Sequence, residues 1–297
     1  MWNGSSGPAN REDAMDDGPR PVVRDDGRPW HTLQLSRTGE IAEVSLARPE
    51  SRNALIPEMM RELIEAAELL DQSQQVRTVV LSGEGPSFCA GIDLGVMNVL
   101  AEDETAQDAA PASYELAALG QRMMTALRTM RPITVAAVQG HAAGGGLLLM
   151  MACDLRIVAD DAQFWLPDAA VGNPLPWGGL PHLVAEVGPV LARDLILTCR
   201  RFSGTEAVAM ALANRAVPTT EVASAARDLA RTLTEIPVAA ADVTKRHVHA
   251  VVQTIGASTA FADAYVVAGS MRFDDSRRAS AGAGIEPGDR PSSGTSA

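Results

Sequence analysis

Three consecutive glycines, Gly144–Gly146, separate two apolar runs of the chain. The run before them, Ile133–Val138, is rich in β-branched residues, which predicts a buried strand. The run after them, Leu147–Cys153, is apolar on every side, which predicts a buried helix. The first turn of a helix carries unpaired N–H groups and a partial positive charge, and glycine lets an outside atom approach them closely. This turn is therefore suited to holding a negatively charged oxygen, either of a phosphate or of a developing oxyanion.

A second turn of similar character lies upstream of the glycines. Its stretch Ser87–Leu94 reads SFCAGIDL and follows another predicted strand, Val76–Ser82. Its small residues leave room for the backbone to turn inward, so that each of the two turns can offer one N–H group to a shared oxygen. The sequence therefore predicts an anion-holding site made from backbone groups.

The elements that must position these turns alternate between strand and helix patterns. A strand, a helix and a second, parallel strand form a unit that buries one face of the helix, and repeats of this unit define an α/β fold. In chain order, the predicted elements are strands over Trp30–Ser36 and Ile41–Leu46, a helix over Glu58–Leu70 opened by Pro57, a strand over Val76–Ser82, a helix over Tyr114–Met130, the strand Ile133–Val138, a helix over Gly146–Cys153 and a strand over Asp154–Ala159.

From Trp177 onward, helix patterns separated by glycine or proline dominate, and no strong strand pattern follows Val217. The predicted domains are a disordered segment over residues 1–29, an α/β core over 30–200, a helical part over 201–272 and a disordered tail over 273–297. The acidic and small residues 97–112 predict a mobile loop over the mouth of the pocket. The predicted helices are Gly178–Glu186, Pro189–Cys199, Thr205–Ala213, Thr220–Leu233 and Val238–Thr254.

Composition and charge narrow the range of partners. The formal net charge of the 297-residue chain is −12, which argues against nucleic acid, because phosphate contacts need a basic surface. The chain has no apolar run of about eighteen residues, so no membrane span is expected. Its first residues lack the apolar core of a secretory signal. Cys89, Cys153 and Cys199 lie far apart and are expected to be reduced thiols of a cytoplasmic protein. No HExxH or CxxC spacing is present, so no metal is expected.

The two turns also carry a family resemblance. The segments SFCAGIDL and GHAAGGG, followed by CDLRIVADDAQFWLPD, closely resemble motifs of the enoyl-CoA hydratase/isomerase family, whose fold is the crotonase fold. The segments AEVSLARPESRNAL and RRFSGTEAVAMALANRAV extend the resemblance to roughly residues 32–256. It implies a crotonase-like α/β spiral of β-β-α units with a helical C-terminal part that forms trimers. The expected assembly is a homotrimer or a dimer of trimers.

The resemblance implies roles for particular residues. The N–H groups of Ile92 and Gly145 are expected to bind the thioester oxygen of an acyl-CoA as it becomes an enolate. Coenzyme A is part of the substrate, no separate cofactor is expected, and Lys245 or Arg246 can meet the CoA phosphates unless its charge is merely solvated. The implied substrate-binding residues are Arg52, Ala54, Leu55, Ala90, Gly91, Asp93, Gly144, Leu148, Trp165 and Trp177.

The hydratases of this family use two carboxylates for proton transfer, and the resemblance places one of these positions at Leu148, which carries no acid. The other position is Asp168, one methylene shorter than the glutamate usual there. Trp165 and Trp177 flank Asp168 and either shape an acyl pocket or belong to the core. Desolvation by apolar neighbours would raise the pKa of the Asp168 carboxyl toward the range of a proton shuttle. A helix N-cap is the alternative role for an aspartate after proline.

A single carboxylate is sufficient to move a proton between C2 and C4 of an enoyl thioester, whereas hydration also needs a group that activates water. The sequence therefore favours an isomerase-like enzyme of fatty acid metabolism that acts on an acyl-CoA thioester through an oxyanion-stabilised enolate. An enoyl-CoA hydratase proper and a non-catalytic acyl-CoA-binding protein on the same fold stay open as alternatives. Hydrolysis or dehalogenation of a CoA thioester would need a nucleophile, and none is assigned.

The remaining candidate residues are assigned ordinary roles. Asp93 is expected to bond nearby backbone groups, His141 to be a hydrogen-bonded core histidine, and His182 to lie at the surface. His247 and His249 are two positions apart on a predicted helix and so face different sides, which is unsuited to a shared metal.

Overall fold

The computed structural model describes residues 18–97 and 109–256 of the chain. The predicted tail over 273–297 and residues 98–108 of the predicted loop lie outside the described residues, as does the start of the predicted disordered segment. The described part of that segment packs against the protein: Arg20–Pro21 form a strand, and the Arg24 guanidinium donates a hydrogen bond to Glu62 Oε1 at 3.1 Å. The packed chain therefore begins before residue 30, and the other predicted domain boundaries stay predictions.

A seven-stranded mixed sheet forms the centre of the fold. Its first three strands are antiparallel to one another, and each later strand is parallel to its neighbour. The first two predicted strands pair with each other as a hairpin, with Thr38 opposite Ile41 across a two-residue turn. In sheet order, the strands are β1 (Arg20–Pro21), β2 (Leu33–Thr38), β3 (Ile41–Leu46), β4 (Thr78–Gly83), β5 (Ile133–Val138), β7 (Leu155–Ala159) and β10 (Arg215–Val217).

A second, three-stranded sheet was missed in the sequence. It consists of β6 (His141–Ala143), β8 (Gln163–Trp165) and β9 (Phe202–Ser203). Strands of two or three residues are too short to show an alternating pattern, so only their pairing in the folded chain reveals them. The strands β9 and β10 also correct the expectation that the chain is purely helical after Trp177.

Seven helices with described bounds surround the sheets. The second helix begins at Ala109, before the predicted start at Tyr114, so that residues 109–112 are helical and not part of a loop. The fourth helix contains a break at Gly188, as the sequence indicated. The helices are α1 (Pro57–Gln72), α2 (Ala109–Thr129), α3 (Gly145–Met151), α4 (Gly179–Thr198), α5 (Gly204–Ala209), α6 (Val222–Thr234) and α7 (Val238–Gly256).

The short helix α3 lies at the centre of the core. All seven of its residues are buried, as predicted from its apolar sequence. The helix α1 packs on α2, α6 packs on β4, β5 and β7, and α7 packs mainly on α4. These contacts confirm the α/β class. Among the described helices, none is long and apolar enough to cross a membrane.

Candidate active site

The two predicted turns meet through a short stretch of strand pairing. The Cys89 N–H donates a hydrogen bond to the carbonyl oxygen of His141 at 3.0 Å, and the Ala143 N–H donates to the carbonyl oxygen of Cys89 at 3.1 Å. These bonds form an isolated parallel bridge between Cys89 and Ala142. The strand β6 therefore carries the glycine turn alongside the upstream turn.

Glycine is required where the turns approach most closely. Gly91 has a φ of +94°, and a Cβ atom there would lie 2.7 Å from the carbonyl oxygen of Ala143 and 3.6 Å from the Gly145 nitrogen. A Cβ atom at Gly146 would lie 2.2 Å from the carbonyl oxygen of Cys89. Any larger residue at Gly91 or Gly146 would force the two turns apart.

The pairing leaves the Ile92 and Gly145 N–H groups available. The neighbours of Ile92 bond Leu55, because the Leu55 N–H donates to the Gly91 carbonyl at 2.7 Å and the Asp93 N–H donates to the Leu55 carbonyl at 3.0 Å. In this parallel bridge the N–H of Ile92 itself points away from Leu55. Gly145 is the first residue of α3, so its N–H belongs to the unpaired first turn. The structure thus brings both N–H groups to the junction of the two turns, and their role as oxyanion donors stays a prediction.

Asp168 lies beside the glycine turn. Its Oδ2 atom would be 3.6 Å from a Cβ atom at Gly144. Within the described part of the chain, this buried oxygen has no hydrogen-bond partner. Burial raises the pKa of the Asp168 carboxyl to about 6, only partly offset by a hydrogen bond from its own backbone. The N-cap alternative is wrong, because Pro167 occupies that position and no side-chain capping bond is made.

Leu148 is fully buried and packs against the first turn of α4. A Cβ atom at Gly179 would lie 2.6 Å from Leu148 Cδ2. The position where the family resemblance implies a second carboxylate is therefore filled by apolar packing. Of the two positions where the resemblance implies a carboxylate, only Asp168 carries an acid, and it lies beside the glycine turn.

Trp177 covers the glycine turn. A Cβ atom at Gly145 would lie 2.6 Å from Trp177 Cζ3 and 3.2 Å from Leu55 Cδ1. Trp177 has a φ of +59°, a left-handed conformation that is rare for a bulky residue and persists only where its surroundings enforce it. The buried ring of Trp177 therefore belongs to the core and lies beside Gly145, and its role in shaping an acyl pocket stays a prediction.

Trp165 lies in a more polar setting. The Arg201 guanidinium carbon stands 4.2 Å from the centroid of the Trp165 ring, and the His141 ring meets it edge-on at 5.9 Å. His141 Nδ1 lies 3.1 Å from Ser87 Oγ, so the predicted hydrogen bond of this histidine is confirmed. Burial, followed by the positive charges of Arg52 and Arg201, lowers the pKa of His141, which leaves the imidazole neutral at pH 7.

Two residues that the sequence did not single out hold the loop before α1 against the upstream turn. Buried Asn53 donates hydrogen bonds from Nδ2 to the carbonyl oxygens of Glu84 and Ser87, both at 2.9 Å. Its Oδ1 accepts a bond from the Arg48 N–H at 2.9 Å. The Arg48 guanidinium lies 3.3 Å from Asp93 Oδ2. Asp93 Oδ1 accepts a hydrogen bond from the Gly95 N–H at 2.9 Å, which confirms the predicted bond to nearby backbone. A polar turn sequence gives no signal that such an asparagine is buried.

The predicted CoA-contact residues fall into two groups. The first group lines the two turns and the paired loop: the Ala90 N–H donates to the Arg52 carbonyl at 3.0 Å, and Ala54 and Leu55 are buried beside it. Lys245 belongs to neither group and is not a solvated charge, because its buried ammonium lies 2.7 Å from Asp154 Oδ2. The second group, with side chains or backbone close to Asp168 or Gly145, consists of Gly91, Gly144 and Trp177, and Leu55 of the first group also reaches Gly145.

Three further expectations concern charged residues away from the turns. Arg246 is exposed and pairs with Asp242 at 2.5 Å. His182 is half-buried and stacks on His249 with ring centroids 6.4 Å apart, which corrects the surface position expected for it. His247 is exposed, so the two histidines of α7 do face different sides.

One group of described residues has the composition of a metal site. Ligand atoms of His31, Glu58 and Glu62 lie within 4.8 Å of one another. Glu62 Oε2 accepts hydrogen bonds from the Thr32 N–H at 2.8 Å and from Thr32 Oγ1 at 2.6 Å, and its Oε1 accepts one from the His31 N–H at 2.9 Å. Because these bonds occupy the carboxylate, Glu62 anchors the start of β2 to α1 and gives no support for a metal.

The chain is similar to known proteins along most of its length. A family model described as enoyl-CoA hydratase/isomerase matches residues 36–282. A probable enoyl-CoA hydratase of Mycobacterium bovis is 34% identical over 220 residues, 74% of this chain and 82% of that protein. A peroxisomal Delta(3,5)-Delta(2,4)-dienoyl-CoA isomerase of Arabidopsis thaliana is 32% identical over 193 residues, 63% of this chain and 69% of that protein. A Thermobifida fusca YX structure with acetoacetyl-CoA, provisionally described as an enoyl-CoA hydratase, superposes with a TM-score of 0.65 at 32% identity, covering 78% of this chain and 94% of that one.

Proposed function

The chain belongs to the enoyl-CoA hydratase/isomerase family, and from that premise we propose that it moves a proton between C2 and C4 of an enoyl-CoA thioester. The likeness to solved structures also confirms the predicted crotonase-like fold. The relative that was solved with acetoacetyl-CoA supports an acyl-CoA as the substrate. Trimer formation through the helical C-terminal part stays a prediction.

The two turns supply the anion-binding half of the proposed reaction. The N–H groups of Ile92 and Gly145 hold the thioester oxygen, which becomes negatively charged when a proton leaves C2. The approach of the Gly91 backbone to the Gly145 nitrogen supports this pairing of donors. One such donor typically lowers the barrier by about 3 kcal/mol in a site shielded from water.

Asp168 supplies the proton-transfer half. As a carboxylate it takes a proton from C2 of a 3-enoyl thioester, the electron pair moves onto the thioester oxygen, and the resulting carboxylic acid returns the proton to C4. A pKa of about 6 leaves the group mainly ionised at pH 7 while its acid form is still strong enough to give the proton back. The observation that carries the proposal is the buried, unpartnered Asp168 oxygen beside the glycine turn.

Hydration is the second candidate function, and the names of the relatives favour it. Adding water across the double bond would need a second group to activate the water molecule. The buried, apolar Leu148 stands at the position where the resemblance expects that group. This contrast between the relatives' names and Leu148 is what the experiment has to resolve.

The test compares turnover of 3-enoyl-CoA and 2-enoyl-CoA by the unchanged protein and by Asp168→Asn. Asn keeps the shape of the side chain and removes its ability to take a proton, so we expect isomerisation to fall by about 10²–10⁴-fold. Binding of butyryl-CoA, a saturated thioester, is expected to be unchanged. Asp160→Asn is the matched control, because Asp160 is exposed and precedes the same region of the chain.

Each outcome has a defined meaning. Loss of isomerisation in Asp168→Asn with intact butyryl-CoA binding supports the proposal. Faster turnover of 2-enoyl-CoA with release of a hydroxyacyl product would favour the hydratase. Tight thioester binding without turnover of either substrate by the unchanged protein would overturn both and leave the non-catalytic acyl-CoA-binding function.

A further inference from the structure

A cavity of about 420 Å³ lies at the opposite end of α3 from the glycine turn. Its walls are the last residues of α3, the first residues of β5 and β7, one face of α7 and the connection from α6, and we call it the α3–α7 pocket. The glycine turn and Asp168 do not line it. Its size falls within the range of small-molecule sites.

The charged side chains that line the α3–α7 pocket have a net positive charge. Three of them are basic and two are acidic. Arg156 is paired with Glu186, at 2.8 Å between Nη2 and Oε1, and Lys245 is paired with Asp154 at 2.7 Å. After these two ion pairs are formed, the positive charge of Arg128 is left over.

Arg128 is buried, and most of its guanidinium is unsatisfied. Its exposed fraction is 8%, and its Nε and Nη2 atoms have no hydrogen-bond partner among the described residues. Burial lowers the pKa of Arg128 to about 10, partly offset by the charge of Glu186, so the guanidinium is still charged at pH 7. A buried charge without a partner is costly, and anions are the natural ligands of a guanidinium.

The rest of the pocket is aliphatic and reaches the surface. Ile236 is 38% exposed and Val248 is 59% exposed, so apolar side chains form the rim as well as the wall. A small inorganic anion would leave this surface uncovered, whereas a ligand with an apolar chain would bury it. The aliphatic lining residues are Ile133, Leu155, Leu233, Ile236, Val248 and Val252.

We propose that the α3–α7 pocket binds the carboxylate of a medium-chain fatty acid, with the head group on Arg128 and the chain along the aliphatic wall. His182 and His249 also line the pocket, and burial lowers the pKa of both, most strongly that of His182, to about 4. At pH 7 they are therefore neutral and can donate one hydrogen bond each without adding charge. This proposal does not depend on the reaction proposed above.

The test is calorimetric titration of the full chain at pH 7 with sodium octanoate as the probe. Arg128→Met removes the charge at similar length, and we expect it to weaken octanoate binding at least tenfold. Arg122→Met is the matched control, because Arg122 is an exposed arginine on the same helix, α2, and binding should be unchanged. Octan-1-ol, which has the chain without the charge, and inorganic phosphate, which has charge without the chain, should both bind at least tenfold more weakly than octanoate.

A second variant tests the pocket independently, in case Arg128→Met does not fold. Ala241 is a half-buried pocket residue on α7, and Ala241→Phe fills the aliphatic part while keeping Arg128. We expect this variant also to weaken octanoate binding at least tenfold. Binding that survives both Arg128→Met and Ala241→Phe would overturn the proposal.

Two further measurements locate the bound octanoate and test whether Arg128 has a structural role. Octanoate displaced by butyryl-CoA would place it at the candidate active site and overturn the proposal, whereas simultaneous binding supports it. Arg128→Met should unfold at the same or a higher temperature than the unchanged protein, because it removes an unpaired buried charge. A clear loss of thermal stability would show that Arg128 has structural partners and would contradict the inference.

Discussion

Charged side chains of opposite sign lie at the two ends of α3, and each has at least one buried polar atom without a hydrogen-bond partner within the described chain. At the N-terminal end, Asp168 faces the glycine turn; at the C-terminal end, Arg128 faces the α3–α7 pocket. Burial shifts the pKa of each group toward its neutral form, to about 6 for Asp168 and about 10 for Arg128. The same physical cause therefore acts on both.

The same direction of shift has different consequences for Asp168 and Arg128, because the ordinary pKa of an arginine lies far above that of an aspartate. The pKa of Asp168 reaches the range in which a carboxyl can both accept and return a proton near neutral pH, which suits proton transfer. The pKa of Arg128 stays well above neutral, so this group keeps its charge and suits anion binding. Burial therefore suits Asp168 to carrying a proton, whereas Arg128 stays charged and is suited to binding an anion.

Apart from Asp168→Asn, the largest effect is expected from a change at Gly91, which alters the N-terminal end of α3 alone. Gly91→Ala would bring a Cβ atom to 2.7 Å from the Ala143 carbonyl oxygen and separate the two N–H donors. We expect kcat to fall by about 10²–10³-fold, the effect of losing one oxyanion donor, with octanoate binding at the α3–α7 pocket unchanged. Gly172→Ala is the control, since Gly172 has a similar φ of +82° but open space around it. Equal loss in both variants would mean that backbone strain, not the clash, is responsible.

The next prediction concerns a second acid at the N-terminal end of α3. Leu148→Glu places a carboxylate at the position where the family resemblance implies one, and we expect measurable hydration of 2-enoyl-CoA. Because Leu148 is fully buried, the free energy of unfolding should fall by about 2 kcal/mol. Leu148→Gln is the isosteric control and should give no hydration. Hydration absent from the folded Leu148→Glu variant would count against Leu148 as the reason for an isomerase.

Isomerisation at the N-terminal end and octanoate binding at the C-terminal end should depend differently on pH. Isomerisation needs ionised Asp168, so kcat/KM should fall about tenfold per pH unit below the pKa of about 6 and be level above it. Octanoate binding should be constant from pH 7 to pH 9, because Arg128 stays charged and His182 stays neutral in that window. A rate that is level down to pH 5 would remove Asp168 from the proton-transfer step.

The smallest effect is on stability. The folded-state pKa of Asp168 is raised above the ordinary value of 3.8, so the folded chain binds the proton more tightly and loses stability as pH rises from about 4 to 6. At pH 7, Asp168→Asn should therefore unfold about 4–8 °C higher than the unchanged protein. At pH 4 the difference should nearly vanish. A melting temperature that drops at pH 7 would show that the carboxylate has a stabilising partner.

The sequence by itself determined the chemistry of the N-terminal end. Runs of β-branched and apolar residues specify β5 and α3 through local pattern, and glycine is recognisable because no other residue permits so close a backbone approach. The Gly91 and Gly145 turns, the hairpin and the apolar Leu148 were therefore predictable. The resemblance of the motifs then pointed to Asp168.

Only the tertiary structure decided what depends on pairing between distant segments. The strand β6 and the buried amide of Asn53 have no local signature, because their role is set by partners far along the chain. Arg128 in sequence is one arginine of an amphipathic helix, and nothing local distinguishes it from exposed Arg122. Its burial follows from how α2, α3 and α7 come together, since an isolated charge becomes informative only when folding removes it from water.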